Sequence, residues 1–281
     1  MPVYNGAACI EQALEALLAR TYRTFTLIIA DNASTDGTWD ILQDWARRDS
    51  RIILHRHEIN IGMAGNFRYL LDRAETEYFM WHACDDWVNQ NFLEALCAVL
   101  DSNPDCALAC GDVIKFATDK LETRRVFPSL AGCKRLERII TILKRPRAPW
   151  IYGLFRIDAL RRALAVAEEF GYSWAADYLT MLPFILNDRI RGTSAAVFHY
   201  HVSDHSYRTL RPHQPIAFLQ FFIRYFRYNL AVLQGKQSFP PREDGMLAVS
   251  PTPCQPCGRL IAVPGSMSQC GRLFADNLGA I

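Results

Sequence analysis

The sequence has little excess of charge: 31 Lys and Arg against 29 Asp and Glu leave a formal +2 over 281 residues. That near-balance gives no basis for a nucleic-acid surface. The Arg pairs Arg47–Arg48, Arg124–Arg125 and Arg161–Arg162 read as solvated helix faces. No run of about 18 uncharged apolar residues occurs, so a membrane-spanning helix is not expected. Residues 216–233 come nearest, and Arg224 and Arg227 interrupt them on one helical face. The first residues, MPVYNGAACIEQ, lack the basic-then-apolar order of a secretion signal. The nine cysteines form no even framework, and reduced thiols of a cytoplasmic protein are expected. Cys254 and Cys257 have the spacing of half a zinc knuckle, but only Cys270 lies nearby, too few for four ligands. A Gly-rich, Lys-bearing phosphate loop is also lacking near the N-terminus, which argues against a nucleotidyltransferase.

What is present is apolar: half of the residues, 50%, are hydrophobic. The length suits one large domain or one and a half, at about 150 residues each. Strand-like runs at 26–30, 51–55, 77–82, 106–110 and 113–116 alternate with helical spacing over 38–48, 63–73 and 92–100. Further on, 150–157 and 195–200 read as strand, and 158–169 and 177–186 as helix. This alternation predicts an α/β fold, a mainly parallel sheet with helices on both faces. From residue 239 onward there is no hydrophobic face, and an irregular or disordered tail is expected over 239–281.

Two strands end in acid. The run LIIADNASTDGT closes on Asp31–Asn32 and continues through Ser34, Thr35, Asp36 and Gly37, and the run EYFMWHACDDW closes on Asp85–Asp86. Ligands of open α/β sheets bind beyond the carboxyl ends of the strands. Adjacent carboxylates there suit a hard cation carrying substrate phosphates. A helix N-cap or a solvated turn explains Asp85–Asp86 by itself, and plain turn chemistry explains Asp31–Gly37. Asn60-Ile61-Gly62 opens the next helix, with Asn66 and Arg68 placed to meet a ligand at its N-terminus; capping accounts for Asn60 equally well.

Taken in order, PVYNGAACIEQALEALLARTY, LIIADNASTDGTWDIL, NIGMAGNFRYLL and EYFMWHACDDW resemble a family-2 glycosyltransferase of the GT-A fold. WIYGLFRIDAL, SWAADYLTMLPFIL and YHVSDHS resemble later blocks, so the likeness covers about residues 1–210. The resemblance implies inverting transfer from a nucleotide-diphosphate sugar to an acceptor hydroxyl, assisted by Mg2+ or Mn2+. It implies that Pro2, Val3 and Tyr4 meet the nucleotide and that Asp31 contacts the base. Asn32, Asp36, Gly62, Asn66 and Arg68 line the donor site. Asp85 and Asp86 are the metal and ribose acids, Asp86 the direct ligand. Asp177 falls at the catalytic base, where flanking apolar residues would raise its pKa; the local sequence alone reads it as an N-cap. His199, His201 and His205 follow the last strand, and one of them is a candidate further ligand.

Two departures matter. The family begins with a strand running into the PVYN loop, and that strand is expected to be missing here, as in a chain truncated before the loop. Ala83 and Cys84 precede Asp85 and Asp86, so an acid-x-acid spacing is not met. The expected organisation is a GT-A domain over 1–210, an amphipathic helix over 211–238 and the tail. The helix either packs on the domain or lies on the inner membrane face, near a glycan or lipid-linked acceptor. The alternative is a non-catalytic GT-A remnant that binds nucleotide weakly.

Overall fold

The structure, a computed structural model, describes residues 1–117, 120–145, 148–169, 176–201 and 259–262, with the single positions Ile223, Arg227 and Leu230. The first half runs β1 (Pro2–Val3), α1 (Ile10–Leu18), β2 (Phe25–Asp31), α2 (Thr38–Arg48), β3 (Ile52–Arg56), α3 (Gly62–Arg73) and β4 (Tyr78–Phe79). Then come β5 (Trp87–Val88), α4 (Phe92–Ser102), β6 (Leu108–Ala117), β7 (Lys120–Arg125) and α5 (Arg135–Leu143). A 3-10 turn over Ala148–Tyr152 leads to β8 (Leu154–Arg156), α6 (Ile157–Glu169), α7 (Ala176–Leu186), β9 (Ile190–His201) and β10 (Arg259–Ala262).

Local sequence explains most of these. In β2 every residue but Thr26 is buried, as a continuous apolar run flanked on both edges should be. In α1, Ile10, Ala13, Leu14, Leu17 and Leu18 are all buried, the i, i+3, i+4, i+7 stripe of a helix lying on a core. Both α1 and α5 add to the elements expected from sequence. The expected strand at 77–82 shortens to β4, and that at 150–157 to β8 after the 3-10 turn. The runs at 106–110 and 113–116 join into the single strand β6, whose register against β9 shifts between Gly111 and Asp112.

The sheet is mixed. β2 pairs in parallel with β3 through Leu27–Asp31, with β10 through Phe25–Ile28, and with β1 at Ala30 and Asp31. Leu27, Ile28, Ala30 and Asp31 of β2 pair with β3 and also with β10 or β1, so the last two share the edge opposite β3. On that edge β1, two residues of the PVYN segment, pairs with the end of β2, and β10 pairs with its start and lies beside β4. Residues 259–262 are therefore strand, although the whole of 239–281 was expected to be irregular. The second sheet runs β4-β8-β6-β9-β5, with β7 on β6. There β6 and β9 are parallel and the other pairs antiparallel.

The core gathers beneath the second acidic turn. The Trp81 ring, 2% exposed, lies 5.1 Å from Phe79, 5.7 Å from Phe67 and 6.1 Å from Phe155. Aromatics of this size carry the largest apolar area per residue. They therefore anchor the chain just before it turns at Asp85. Of residues 211–238, only Ile223, Arg227 and Leu230 lie among the described residues, helical and exposed.

Candidate active site

Two loops are laced together at the ends of β1 and β2. Asn5 donates its N–H to Ser34 Oγ at 2.8 Å and accepts from Thr35 N–H at 2.8 Å. Gly6 N–H reaches Thr38 Oγ1 at 2.8 Å. Asp36 receives Ala7 N–H at 3.2 Å and Thr38 N–H at 3.0 Å, and it also accepts from the Thr38 hydroxyl. These bonds hold its carboxyl below the ordinary range against a desolvation that pushes the other way. Asn5 and Ala33 take the left-handed conformation, with φ of 50° and 60°, the strained backbone often found in ligand loops. Pro2 and Val3 are buried in the sheet, whereas Tyr4 is partly exposed.

Asp31 is fully buried. Its carboxylate accepts Ser34 N–H at 3.3 Å and pairs with Arg56 Nε at 3.2 Å. Arg56 also donates to Ser34 O at 2.9 Å and stands over the Trp39 ring. Burial raises the Asp31 carboxyl, with the Ser34 bonds and Arg56 opposing it.

Three expected donor residues are framework. Asn32 binds Asn60 Oδ1 at 2.8 Å and Gly62 O at 3.3 Å, and accepts Ile61 N–H at 2.9 Å. It ties the end of β2 to the start of α3. Gly62 has φ +77°, a conformation glycine adopts without cost. Asn66 is buried; its amide donates to Ala30 O at 2.9 Å and its Oδ1 meets His57 Nε2 at 3.0 Å. Arg68 is not brought to the acids. Its guanidinium pairs with Asp72 at 2.9 Å and with Glu168 of α6 at 2.6 Å.

The second acidic turn is set by β5, where Trp87 pairs with His199 and Val88 with Phe198 of β9. This antiparallel ladder brings the end of β9 against Asp85–Asp86. Asp86 Oδ1 accepts His201 N–H at 2.7 Å, and His201 Nδ1 lies 3.6 Å from Asp85 Oδ2. His199 stacks on Trp87 at 5.2 Å. His205 lies outside the described residues. Asp86 is 3% exposed, and desolvation first, then the Asp85 charge, lift its carboxyl well above the usual range. A divalent cation would relieve both causes.

Asp177 stands in the first turn of α7, its Oδ1 accepting Tyr178 N–H at 2.8 Å. It lies inside the helix rather than at the cap, where the dipole favours its charge, yet desolvation still raises its carboxyl. Tyr152, in the 3-10 turn, is buried. Burial lifts the Tyr152 pKa first, followed by the charges of Asp86, Tyr200, Asp85 and Asp177. All three carboxylates are thus within electrostatic reach of one ring, which itself stacks on Phe198 at 5.0 Å.

Among the described residues no three His, Cys, Asp or Glu converge as a self-sufficient metal cluster. Two carboxylates beside a bound phosphate are nonetheless the ordinary setting for Mg2+ or Mn2+, and Asp85 and Asp86 fit that role.

Residues 1–164 match the glycosyl transferase family 2 profile, more than half of the chain. The chain belongs to glycosyl transferase family 2. Within this family it is 37% identical over 86 residues to the Escherichia coli UDP-Glc:alpha-D-GlcNAc-diphosphoundecaprenol beta-1,3-glucosyltransferase WfaP, covering 30% of this chain and 34% of that one. The chain spans less than half the length of the curated relatives it matches. Its GT-A fold is that of Staphylococcus aureus TarS 1–349 in complex with UDP-GlcNAc, at TM-score 0.58 and 17% identity, covering 80% of this chain and 64% of that one. The mannosyltransferase PcManGT of Pyrobaculum calidifontis, in complex with GDP-Man and Mn2+, aligns at TM-score 0.53 and 17% identity, covering 84% and 67%.

Two residues at the candidate site carry no signal in the sequence. Arg56 closes β3 and faces Asp31, a position visible only once β2 and β3 are in register. Tyr152 lies in a 3-10 turn that reads as strand, and nothing in its local sequence marks it.

Proposed function

We propose that this chain transfers a sugar, with inversion, from a nucleoside-diphosphate sugar to an acceptor hydroxyl, with Mg2+ or Mn2+ at Asp85 and Asp86. The observation that carries this reading is the buried acid turn, whose Asp86 accepts the His201 N–H while Asp85 lies beside the His201 ring. When bound, the cation neutralises charge that develops on the departing diphosphate. Asp86 is its direct ligand, Asp85 serves the cation and the ribose, and His201 is the further ligand candidate. Asp31 recognises the base, held in place by Arg56, and Tyr4 lies along the nucleotide beside the Pro2–Val3 strand. Asp36, Asn32, Gly62 and Asn66 shape the loops around it.

Asp177 takes the acceptor proton as general base. Its raised pKa brings it nearer the operating pH, where a carboxylate base is most effective. The anomeric carbon becomes cation-like as the bond breaks, so the base and the diphosphate must lie on opposite faces of the sugar.

Relatives support the donor class. The TarS complex holds UDP-GlcNAc, and PcManGT holds GDP-Man with Mn2+. The acceptor we infer is a glycan or a lipid-linked sugar, in keeping with the diphosphoundecaprenol named for WfaP. Residues 216–233 would supply peripheral contact with the inner membrane face from a cytoplasmic enzyme; within them Ile223 and Leu230 are 52% and 43% exposed. Incubating the protein with a panel of UDP-, GDP- and dTDP-sugars and Mn2+ tests the function. Manganese-dependent hydrolysis confined to one nucleotide class is expected. Neither binding nor hydrolysis of any donor would sink the reading.

A further inference from the structure

Cys9 and Cys84 meet between the two loops that carry the candidate site. Their sulfurs are 3.2 Å apart. Cys84 is buried directly before Asp85, while Cys9 is half-buried directly before α1. Gly6 makes the approach possible, because a Cβ there would lie 3.3 Å from Cys84 Sγ and 2.7 Å from Val3 Cγ2. Cys9 Sγ also lies 3.4 Å from Gly6 O. Cys106 and Cys110, by contrast, direct their thiols at the carbonyls of Leu108 and Trp150.

We propose that Cys9 and Cys84 are an oxidative modification site, a dithiol that closes to a disulfide on meeting a small disulfide such as oxidised glutathione. Cys9, the less buried of the pair, attacks one sulfur of the oxidant; their disulfide forms as the first glutathione leaves as thiolate. Cys84 then attacks Cys9 Sγ and displaces the second glutathione. The protein loses two protons and an electron pair; the oxidant gains them and departs as two thiols. An S–S bond is about 2.05 Å long, so the sulfurs close by roughly 1 Å. Cys84 is covalently next to Asp85, and the movement falls on the acid turn and on the Asn5–Gly6 loop. Displacements of about 1 Å at a reacting site cost on the order of a hundredfold. Closure is therefore expected to weaken donor binding at least about tenfold, a consequence that rests on the donor-site reading, whereas the bond does not.

The test treats the full chain with oxidised glutathione and follows intact mass and non-reducing peptide maps. The expected product is two hydrogens lighter, carries a Cys9–Cys84 linked peptide, and reverts with dithiothreitol. Cys84→Ala should instead trap a glutathione adduct on Cys9. A map without the Cys9–Cys84 link, or with Cys9 joined to another cysteine, overturns the proposal. In parallel, Mn2+-dependent nucleotide-sugar binding is compared between reduced and oxidised protein. Equal affinity removes the effect on the site. If the reduced protein binds no donor, the donor-site reading fails while the mapped disulfide stands.

Discussion

Asp86 accepts the main-chain N–H of His201 at 2.7 Å, so the acidic turn and the last residue of β9 are one unit. The Trp87–His199 and Val88–Phe198 pairs continue that unit along β5. Burial first, then the Asp85 charge, disfavour the ionised form of this carboxyl, and the His201 bond opposes them only in part. A folded state with a raised carboxyl pKa is stabilised by that group below the unfolded pKa, and the contribution is lost as pH rises through the folded value. Ionising the turn therefore weakens the fold until a cation offsets it.

Asp86→Asn separates these effects, since the amide oxygen still accepts from His201 while the charge is gone. Without metal the variant is expected to melt at or above the wild-type temperature. Added Mn2+ should raise the melting temperature of the wild type and leave the variant unmoved. Donor binding measured calorimetrically should lose its Mn2+ dependence. Unchanged manganese-dependent binding in D86N would remove Asp86 as the direct ligand.

Asn66→Ala is a stability variant rather than a donor-site variant. The amide bridges Ala30 O and His57 across the buried seam between β2 and α3. Deleting it removes the bond to Ala30 O and the one to His57, at about 0.5–1.5 kcal/mol each. Urea denaturation should show that loss, while donor affinity in the folded fraction holds. A stable protein with much weaker donor binding would return Asn66 to the ligand.

Arg68→Gln should change little. Its partners Asp72 and Glu168 are 50% and 45% exposed, and exposed pairs contribute at most about 1 kcal/mol. Donor affinity is expected to stay within twofold of wild type by titration, and a tenfold loss would show that Arg68 leaves its two carboxylates for the ligand.

The contrast between Asn66 and Arg68 shows what the sequence made legible. The acidic strand ends, the alternation of strand and helix, and the four motif blocks were readable because each is local: an apolar run, a turn, a cap. Helices α2 and α3 appear within one residue of where their periodicity places them. Side-chain direction was less readable. Asn66 and Arg68 are two positions apart on one helix, so they face opposite ways, and only the packed sheet decides which is inside. Tyr152 and Arg56 needed long-range registers, β5 on β9 and β2 on β3. The strand at 259–262 has no periodicity of its own, being placed by the edge of β2 that it completes.

His82 should make the fold acid-sensitive. It is fully buried, its Nδ1 bonds Ala83 O at 2.7 Å, and its Nε2 has no partner among the described residues. Desolvation, with Arg20 and the amino terminus as lesser causes, lowers its pKa from 6.5 to about 3. A histidine depressed in the folded state contributes full stability above the unfolded pKa and loses it as pH falls from there toward the folded value. At 1.36 kcal/mol per unit this amounts to several kcal/mol, in order of magnitude, between about pH 6.5 and 3. Urea midpoints measured across that range should fall steeply for wild type and more gently for His82→Asn. Parallel slopes would show that His82 does not titrate with unfolding.

Asp177→Asn addresses the proposed base directly. The variant keeps the size of the side chain and the acceptor to Tyr178 N–H, so folding and donor binding are expected to persist. Transfer should fall on the order of a hundredfold or more, the usual contribution of a positioned base. The wild-type profile supplies a second readout. A base must be ionised, and burial raises the Asp177 carboxyl, so kcat should decline on the acid side at a pH above the ordinary aspartate value of about 3.9. That acid limb should vanish from the residual rate of D177N, while donor hydrolysis by water, which needs no acceptor proton removed, is less affected. Wild-type turnover in the variant, or an unchanged acid limb, would move the base to another residue.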